Sequence, residues 1–529
     1  MIAHLVGRSL APPPAATLRE LLGVRAQSGS AWLFFHQGKH EPRALSFADA
    51  DALSSRWARA LHEAGVRGGD RVALLLPNGP DFIGAFFGAH ELGATPVPLP
   101  WPVVTLGPLS LPKGADAVLS VAGPRVLVAP GPVEGVRVPV VSAPAVALAQ
   151  RPKLTRSSAP AFVQFTSGST GRPRGAVISQ RAALVSAWAM ADALGLTSKD
   201  VGVAWLPFFH DMGLVGVVLA SLAAGFPVHV LPPGEFLLRP RRWLELLSEK
   251  RATITVAPNF AFELVLRRAA AAFASLDLSA LRFALNGSEP VLRGTLDAFQ
   301  KAGEAAGLKR GAVLPVYGLA ENALGVTFQA ESAPDADVTV DGRSVPSVGV
   351  PLAGMDVAVR RPDGAVALAG EEGEITVRGP AVMDGYLGDD EATARALRDG
   401  WLWTGDRGVV QHERLFITGR EKDLIIKAGR KFHPADIEQQ VASLVDAPPN
   451  GVAAFSVLRE AEGGEELVVV VELRRQAEGD VAGRIRGHLS EALGVMADRV
   501  ELVGAGELPR TTSGKLRRGE CIARFGGRP

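Results

Sequence analysis

Residues 161–179 read AFVQFTSGSTGRPRGAVIS, a run of glycines and hydroxyl side chains between two apolar segments. Apolar runs that are bounded by glycine and proline are typical of buried strands. Glycines allow the backbone N–H groups of a loop to approach phosphate oxygens, and the Arg174 side chain can add positive charge. The stretch therefore predicts a strand, a phosphate-binding loop and a second strand, with a flexible Gly/Ser connector as the alternative.

The residues that follow the loop distinguish it from the ordinary P-loop of nucleotide hydrolases. A P-loop continues with Gly-Lys and a helix, whereas this loop continues with Pro173 and an apolar, strand-like run. We therefore expect this loop to bind phosphate with a backbone arrangement different from that of a P-loop.

The segments on either side of the loop alternate between strand and helix patterns. Upstream, the apolar run at 71–77 precedes a helical pattern at 81–94 and an extended segment at 95–100. Ser46 is a plausible N-cap for an earlier helix. Downstream, the same alternation continues over residues 182–258. This order predicts a layered α/β domain with largely parallel sheets.

The pattern changes after Gly349, where apolar and polar residues alternate with a period of two. This period and the Pro-Asp-Gly turn at 362–364 predict hairpins, and hence a β-rich third subdomain. Helix and strand patterns follow one another again from residue 434 onward. The predicted fold class is α/β, with a large N-terminal domain over residues 1–418 and a small α+β domain over residues 419–529.

Composition excludes several classes of protein. Lys plus Arg number 56 against 55 Asp plus Glu, without a long basic run, so no nucleic-acid partner is expected. Cys521 is the only cysteine, which excludes an internal disulfide and multi-cysteine metal sites and suits a cytoplasmic location. The N-terminus lacks the apolar centre of a signal peptide. Glycine, proline and histidine interrupt the apolar stretch 215–231, which we interpret as protein core and not as a transmembrane segment.

Two weaker patterns also have an ordinary interpretation. His36 and His40 have the spacing of a helical metal site, but Gly38 lies between them and a third ligand is not evident, so a polar loop is predicted. The Asn-Gly-Ser sequence at 286–288 fits a glycosylation acceptor only in a secreted protein, and this sequence does not look secreted.

Seven motifs, in order along the chain, resemble the signatures of one enzyme superfamily. They are TSGSTGRPRG (166–175), WLPFFHDMGL (205–214), NGSEP (286–290), YGLAE (317–321), WTGD (403–406), GREKDLIIKAGRKFHPADIE (419–438) and LPRTTSGK (508–515). The chain is thereby similar to the adenylate-forming enzymes, which comprise acyl-CoA synthetases, fatty acyl-AMP ligases, luciferases and peptide-synthetase adenylation domains. The resemblance spans about residues 20 to 520 and is closest to the fatty acyl-AMP ligase and long-chain acyl-CoA ligase branch.

The resemblance implies catalytic roles for four of the matching residues. Lys515 is expected to bridge the substrate carboxylate and the α-phosphate, where a cation stabilises the charge that develops as oxygen attacks phosphorus. Glu321 is expected to hold Mg²⁺, which prefers hard oxygen ligands while it bridges ATP phosphates. His210 is implied to lie beside the carboxylate of the acid, and Arg174 to offset phosphate charge.

The resemblance also implies a nucleotide site. Asp406 is expected to accept hydrogen bonds from the ribose hydroxyls, Tyr317 to stack near adenine, and Arg420 to reach ribose or phosphate. The other implied nucleotide-binding residues lie in the motif loops: Thr166, Ser167, Gly168, Ser169, Thr170, Gly171, Gly287, Ser288 and Gly318. Thr166 is an implied metal ligand as well. Lys422 occupies the position of the hinge about which the small domain of the family rotates.

Three departures from the family pattern limit what can be transferred. Arg174 stands where relatives commonly have lysine, and Gln180 replaces a histidine. The stretch between Glu321 and Gly349 is too short for the extra segment that fatty acyl-AMP ligases generally carry, a segment thought to hinder use of free coenzyme A. The thiol acceptor is therefore left open.

The reaction implied by the resemblance joins a carboxylic acid to the AMP part of ATP, releases pyrophosphate, and passes the acyl group to a phosphopantetheine thiol of coenzyme A or an acyl carrier protein. The segments 205–214 and 258–268 favour a fatty acid. Asp211 leaves an amino-acid substrate open, since amino-acid-activating relatives use an aspartate here to pair with the ammonium group, and an aryl acid is a further alternative. A catalytically silent scaffold that binds an acyl-adenylate is the alternative from another class.

Overall fold

The computed structural model describes most of the chain, namely residues 2–102, 109–143, 159–166, 173–329, 337–340, 343–427, 430–459, 464–474, 479–511 and 514–527. In these residues, strands and helices alternate up to Glu304, and antiparallel strands dominate from Val313 to Arg420. A mixed set of helices and strands completes the chain. This is the α/β architecture that the sequence predicts.

Strands form at the apolar runs that the sequence predicts and also at segments that it does not predict, such as His4–Val6 and His40–Ser46. They are β1 (His4–Val6), β2 (Ala31–Gln37), β3 (His40–Ser46), β4 (Arg71–Leu74), β5 (Thr95–Pro98), β6 (Val126–Val128), β7 (Val140–Val141), β8 (Phe162–Thr166), β9 (Arg174–Ile178), β10 (Gly202–Ala204), β11 (Val228–Val230), β12 (Ile254–Ala257), β13 (Phe283–Asn286), β14 (Val313–Leu319), β15 (Leu324–Phe328), β16 (Asp337–Val340), β17 (Arg343–Pro351), β18 (Asp356–Arg360), β19 (Gly373–Arg378), β20 (Gly385–Tyr386), β21 (Leu397–Arg398), β22 (Trp401–Gln411), β23 (Arg414–Arg420), β24 (Ile425–Lys427), β25 (Arg430–Phe432), β26 (Val452–Arg459), β27 (Gly464–Glu472) and β28 (Arg499–Val503).

Several helices begin at a side-chain cap, among them those that start at Leu18, Phe47 and Gln180. The helices are α1 (Leu18–Ala26), α2 (Phe47–Glu63), α3 (Pro80–Glu91), α4 (Ala115–Ala122), α5 (Gln180–Ala193), α6 (Asp211–Gly213), α7 (Ala220–Ala224), α8 (Pro233–Leu238), α9 (Arg241–Glu249), α10 (Asn259–Ala269), α11 (Arg293–Glu304), α12 (Asp390–Ala396), α13 (Pro434–Leu444), α14 (Val481–Leu493) and α15 (Arg518–Phe525). The predicted cap Ser46 forms a capping box with Asp49 at the start of α2. The Gln180 side chain, at the start of α5, accepts a hydrogen bond of 3.0 Å from the backbone N–H of Leu18, which ties α1 to α5.

One large sheet joins a parallel half to an antiparallel half. Its order is β1-β18-β19-β22-β23-β17-β15-β14-β13-β12-β10-β11-β2-β3, with β16 beside β17 and β21 beside β22. Strands β14, β13, β12, β10, β11 and β2 are mutually parallel. Their carboxyl ends lie at one edge of the sheet, which is where α/β proteins bind ligands.

Smaller sheets flank the large one. Strands β5-β4-β6-β7 form a parallel sheet, and β20-β9-β8 form an antiparallel sheet that carries the two strands on either side of the Gly/Ser loop. The predicted Pro-Asp-Gly turn is also formed, since Gly364 N–H donates to the Arg361 carbonyl at 2.9 Å. Strand β18, which precedes this turn, pairs with β19.

The C-terminal residues have a hydrophobic core of their own. The main core cluster extends from Ala3 to Leu415, whereas a separate cluster begins at Ile425 and extends to Ala497. The second cluster packs α13 and α14 against the sheet β26-β27-β28. Lys422 lies between the two cores, on a 3₁₀ turn.

The apolar stretch 215–231 is buried within the large domain, as predicted. It forms a π-helical turn at Leu214–Leu219, continues into α7, and ends at Gly225, whose φ of +82° suits a left-handed helix cap. Within the described residues, no helix has both the length and the apolar character needed to cross a membrane.

The prediction that His36 and His40 lie in a polar loop is wrong. His36 is buried as the last residue but one of β2, and His40 begins β3, so that Gly38 and Lys39 form the turn of a hairpin. His36 Nε2 lies 3.0 Å from Nδ1 of His229 on the parallel neighbour β11, and His229 stacks on Phe34. Sequence spacing could not reveal this pair, because its members are brought together only by strand pairing.

We expect the His36–His229 pair to make the stability of the large domain sensitive to acid. Burial and the nearby Arg242 charge lower the pKa of His36 to about 4, and burial and His36 lower the pKa of His229 to about 3, from an ordinary 6.5. Below about pH 6.5 the unfolded chain therefore binds more protons than the folded chain, and the free energy of unfolding falls as pH falls.

Urea unfolding at about pH 7.5 and about pH 5 measures this effect. The His36→Gln variant cannot take up a proton at this position. Between about pH 7.5 and about pH 5, its urea midpoint of unfolding is therefore expected to decrease less than that of the unchanged chain. An identical pH dependence of the two midpoints would contradict the prediction.

Candidate active site

Lys515 enters the cleft from the C-terminal domain and contacts the large domain. Its ammonium group donates a hydrogen bond to the Ser288 hydroxyl, and its backbone N–H donates to Thr511 Oγ1 at 3.0 Å. The loop is closed by the Thr511 N–H, which donates to the Lys515 carbonyl at 2.7 Å. Burial lowers the pKa of Lys515, and the opposing charges of Asp211 and Glu289 partly restore it. A cation is thereby held in a cleft that contains two carboxylates.

The Ser288 loop follows β13 and depends on a close approach of the backbone. Ser288 has a φ of +77°, a left-handed conformation that is uncommon for a residue other than glycine. A Cβ on Gly287 would lie 2.7 Å from the Val316 carbonyl of β14, so only glycine fits there. The loop thus presents the Ser288 hydroxyl toward Lys515.

A buried polar network supports this loop from behind. Asn286, fully buried at the end of β13, donates to Asn259 Oδ1 at 3.1 Å, and Asn259 donates to Glu263 at 2.9 Å. The Leu292 backbone N–H also donates to Asn259 Oδ1 at 3.2 Å. Burial of Asn286 gives the Asn-Gly-Ser sequence at 286–288 a structural role in place of a glycosylation site. The Asn259 contacts were not predicted from sequence.

Tyr317, Asp406 and Arg420 form a chain of hydrogen bonds along the cleft. The Tyr317 hydroxyl donates to Asp406 Oδ2 at 2.7 Å, and Arg420 Nε donates to Asp406 Oδ1 at 2.9 Å. Burial and the Asp406 charge raise the pKa of Tyr317 well above its usual range, and the Asp406 charge raises the pKa of Arg420. Asp406 is therefore an oriented carboxylate with unused lone pairs.

Glu321 faces Tyr386, a residue that the sequence motifs did not single out. The Tyr386 hydroxyl donates to Glu321 Oε1 at 2.9 Å, and burial raises the pKa of Glu321. The Arg174 guanidinium lies 5.7 Å from the centre of the Tyr386 ring. This cation–π contact gives a physical role to arginine where relatives commonly have lysine. Both tyrosines of the chain, Tyr317 and Tyr386, thus lie in the cleft.

The structure describes only the two ends of the predicted phosphate loop. Thr166 ends β8 and Arg174 begins β9, and the two residues are opposite each other in the antiparallel pair. The rest of the predicted loop, Ser167, Gly168, Ser169, Thr170 and Gly171, lies outside the described residues.

The side chains of His210 and Asp211 contact each other after β10. His210 Nδ1 lies 2.6 Å from Asp211 Oδ1, which also accepts the Met212 backbone N–H at 2.7 Å. Although burial alone would raise it, the His210 charge and hydrogen bond and the Lys515 charge lower the pKa of Asp211 to about 2. Asp211 is therefore ionised and already paired with His210.

One cavity of about 2170 Å³ connects these groups. Of the predicted site residues in the described part of the chain, those that line the cavity are Thr166, Arg174, His210, Ser288, Tyr317, Gly318, Glu321, Asp406, Arg420, Lys422 and Lys515. Gly287 is not in the lining and lies behind Ser288. The structure thus brings together motifs that are separated by hundreds of positions in the chain.

The cavity continues away from the charged groups as an apolar channel. Gly202, Val228 and Ile254, the first residues of the parallel strands β10, β11 and β12, belong to its lining, whereas His210 and Glu289 follow the carboxyl ends of β10 and β13. The channel therefore runs along the strands. Other apolar lining residues are Met190, Leu194, Leu196, Gly216, Val217 and Phe226. The apolar sequence at 212–225 pointed to Gly216 and Val217, whereas the other four residues were not identified from sequence.

Comparison with known families now assigns the chain. A family model described as AMP-binding enzyme matches residues 24–387, which include the loop, the Ser288 segment and Glu321. The chain belongs to this family. The predicted superfamily and the predicted class of AMP-forming ligase are thereby confirmed.

Relatives of this AMP-binding enzyme include named ligases. It is 32% identical to the medium-chain-fatty-acid–acyl-carrier-protein ligase JamA of Moorena producens, over 98% of this chain and 96% of that protein. It is 34% identical to a long-chain-fatty-acid–AMP ligase of Mycobacterium tuberculosis, over 86% of each chain.

Solved structures agree with the fold of this AMP-binding enzyme. A structure from a study of fatty acyl-adenylate ligases of E. coli and L. pneumophila has a TM-score of 0.85 at 29% identity, covering 97% of this chain and 98% of that one. An adenylation domain with its carrier domain, McyG in complex with phenylalanyl-adenylate, has a TM-score of 0.88 at 22% identity over 99% of this chain and 85% of that one. The similarity to the McyG structure, at 22% identity, shows a shared fold and nothing about the substrate. The predicted α/β fold class is confirmed.

Proposed function

We propose that this enzyme activates a fatty acid as acyl-AMP and then transfers the acyl group to a phosphopantetheine thiol. The observation that carries the proposal is the position of the Lys515 ammonium, beside Ser288 in a cavity whose lining also includes the apolar residues of the channel. A fatty acid has the matching form, a carboxylate on an alkyl chain. The names of the relatives support the same substrate class.

In the first step a carboxylate oxygen attacks the α-phosphorus of ATP. The new bond joins this oxygen to phosphorus, and the bond between the α-phosphorus and the bridging oxygen breaks, so that pyrophosphate leaves with the electron pair. Lys515 and Arg174 offset the charge that develops, while Asp406, Tyr317 and Arg420 hold the nucleoside. His210 is proposed to orient the incoming carboxylate.

Glu321 and Thr166 are proposed to hold Mg²⁺. Glu321 fits this ion, since it offers a partly buried carboxylate on the cavity wall. In the described part of the chain, no group of three or more His, Cys, Asp or Glu side chains is arranged as a metal site, which suits an ion held mainly by ATP phosphates. When bound, the ion would neutralise phosphate charge.

The second step is proposed to need movement of the small domain. The thiol attacks the acyl carbonyl carbon and the carbon–oxygen bond to AMP breaks, and AMP leaves as the acyl group passes to sulfur. We propose residues 1–418 and 419–529 as the two moving domains, with the hinge at Lys422 between their hydrophobic cores. Rotation there would withdraw Lys515 and admit the thiol.

ATP–pyrophosphate exchange with a panel of acids tests the proposal. Exchange is expected with medium- and long-chain fatty acids, and much less with amino acids, because the Asp211 carboxylate that could pair with an ammonium group is already paired with His210. Absence of exchange with every chain length would overturn the proposal. We propose a cytoplasmic location because ATP is supplied there.

Both coenzyme A and a carrier protein have the required thiol, and we propose the carrier protein as the physiological acceptor. JamA, which matches nearly the full chain, is named as a ligase for an acyl carrier protein. Incubation of the enzyme with acyl-AMP and either acceptor, followed by mass spectrometry of the thioester, distinguishes them. Faster transfer to free coenzyme A would contradict the choice of acceptor and leave the activation step unaffected.

Gly216 offers a test of the apolar channel. A Cβ at this position, in the π-helical turn that lines the cavity, would lie 3.0 Å from Leu324 Cδ2. In the Gly216→Leu variant we expect exchange with long-chain acids to fall by about tenfold or more, because the added side chain occupies space that the alkyl chain needs. Exchange with short acids should fall much less.

The matched control for this substitution is Gly487→Leu. Gly487 lies on α14 with open space around its Cβ position, and substitution there should leave the chain-length profile unchanged. An equal loss for all chain lengths in the Gly216 variant would show that Gly216 does not face the alkyl chain.

A further inference from the structure

Asn450 of the small domain bridges the two domains beside the reaction centre. Its Nδ2 donates to the Gly514 carbonyl at 3.1 Å and to Glu289 Oε2 at 3.4 Å. Gly514 immediately precedes Lys515 in the chain, and Glu289 follows Ser288, which accepts the Lys515 hydrogen bond. One side-chain amide therefore connects the loop that carries the lysine to the loop that receives it.

Asn450 is fixed rigidly within the small domain. Its φ is +54°, in the left-handed region where asparagine is enriched. Its carbonyl accepts a hydrogen bond of 2.9 Å from Arg510, and Arg510 pairs at 2.8 Å with the buried Glu472 of β27. The amide is thus held in place by the sheet of the small domain.

Glu289 is fixed just as firmly within the large domain. Its Oε1 accepts the Phe260 backbone N–H at 2.5 Å, in the first turn of α10. Burial raises the pKa of Glu289 to about 7, and the Lys515 charge opposes this rise. The carboxyl group is therefore a preformed acceptor that faces the small domain.

The lysine loop also packs against α10. Gly514 has a φ of +88°, and a Cβ there would lie 2.8 Å from the Phe260 ring, so the backbone of the loop contacts the aromatic edge directly. Farther along α10, the Arg267 guanidinium donates to the Ala447 carbonyl of the small domain. Helix α10 is thus the docking face for residues 447–450 and for the lysine loop.

We infer that Asn450 is a positioning residue for acyl-adenylate formation, which fixes the lysine loop against Glu289 when the small domain is closed. This inference rests on the proposed two-step function. Asn450 contacts neither reacting atom, and its bond to Glu289 exists only while Lys515 is in the cleft. It therefore stabilises the orientation of the small domain that serves acyl-AMP formation, and contributes nothing to the orientation that serves acyl transfer to the thiol.

The Asn450→Ala variant separates the two half-reactions. We expect acyl-AMP formation to fall by about tenfold, as for loss of a hydrogen bond to a charged group, while thioester formation from preformed acyl-AMP is retained or rises. Met496→Ala, at an exposed position of the same domain, serves as the control and should change neither rate. Equal losses in both half-reactions, or no loss in the first, would overturn the inference.

A pair of charge-altering substitutions tests the partner. Asn450→Asp replaces the amide donor with a carboxylate, which cannot donate to Glu289 and repels its ionised form, and should therefore slow acyl-AMP formation more than Asn450→Ala does. Adding Glu289→Gln to the Asn450→Asp variant removes one of the two charges and should recover part of the rate. No recovery in the double variant would contradict the assignment of Glu289 as the partner.

Crosslinking provides a readout that does not depend on activity. Lys113 Nζ of the large domain lies 3.6 Å from Glu520 Oε2 of the small domain, and the one native cysteine, Cys521, is buried. In a Lys113→Cys, Glu520→Cys background, a short bis-maleimide should join the domains more slowly when Asn450→Ala is added. An unchanged crosslinking rate would overturn the inference about Asn450, whatever the activity of the protein. Absence of pyrophosphate exchange with every acid, by contrast, would overturn only the proposed function.

Discussion

Replacing Lys515 with alanine is expected to lower the rate of acyl-AMP formation by about a hundredfold to a thousandfold. The ammonium group donates to Ser288 in the cavity that the apolar residues also line, where we propose that it meets both the carboxylate of the acid and the α-phosphate. Its charge is worth more in this partly desolvated site than in water. Thioester formation from preformed acyl-AMP should continue, because we propose that Lys515 leaves the cleft before that step.

Two further variants sharpen the test of Lys515. Lys515→Arg keeps the charge but changes its geometry, and we expect it to recover only part of the adenylation rate. Arg484→Ala, which removes an exposed cation from α14 of the same domain, should leave both half-reactions unchanged. Comparable losses of both half-reactions in Lys515→Ala would contradict the separate use of this residue in the first step.

The second large effect is expected at Asp406. In the Asp406→Ala variant we expect kcat/KM for ATP to fall by about a hundredfold, mainly through a higher KM, because the variant loses the carboxylate that Tyr317 and Arg420 orient and that we propose to bind the nucleoside. Arg420 would also lose the partner that fixes its guanidinium. Steady-state rates at varied ATP, with the acid saturating, measure the effect.

Asp406→Asn and Asp390→Ala are the companions of this variant. The asparagine keeps an acceptor for the Tyr317 hydroxyl but removes the charge that pairs with Arg420, so we expect an intermediate loss. Asp390 is an exposed acid in the first turn of α12, and its replacement should not change the KM for ATP. An unchanged KM in Asp406→Ala would show that this carboxylate does not contact the nucleoside.

Several interatomic contacts are local enough to be predicted from sequence. The Ser46 cap lies three positions from Asp49, and the Pro-Asp-Gly turn closes within five residues. Strand β8 and strand β9 follow directly from their apolar runs. Each depends on backbone propensity and short-range hydrogen bonds, which neighbouring residues determine.

The histidines show where such local reasoning fails. His36 and His40 are close in the chain, and their separation with Gly38 between them predicted a loop. The partner of His36 is instead His229, 193 positions away, on a parallel strand. Parallel neighbours are joined by long crossovers, so local sequence patterns do not identify them.

The sequence by itself determined the family, because seven ordered motifs resemble its signatures, and through that resemblance it implied which residues would perform acid activation. Only the tertiary structure decided which of them meet. Lys515 reaches Ser288 across 227 positions, Tyr386 reaches Glu321, and Asn450 bridges two domains. The physical reason is that these contacts arise from the packing of whole strands and domains, whose relative positions depend on the entire buried core and not on any short segment.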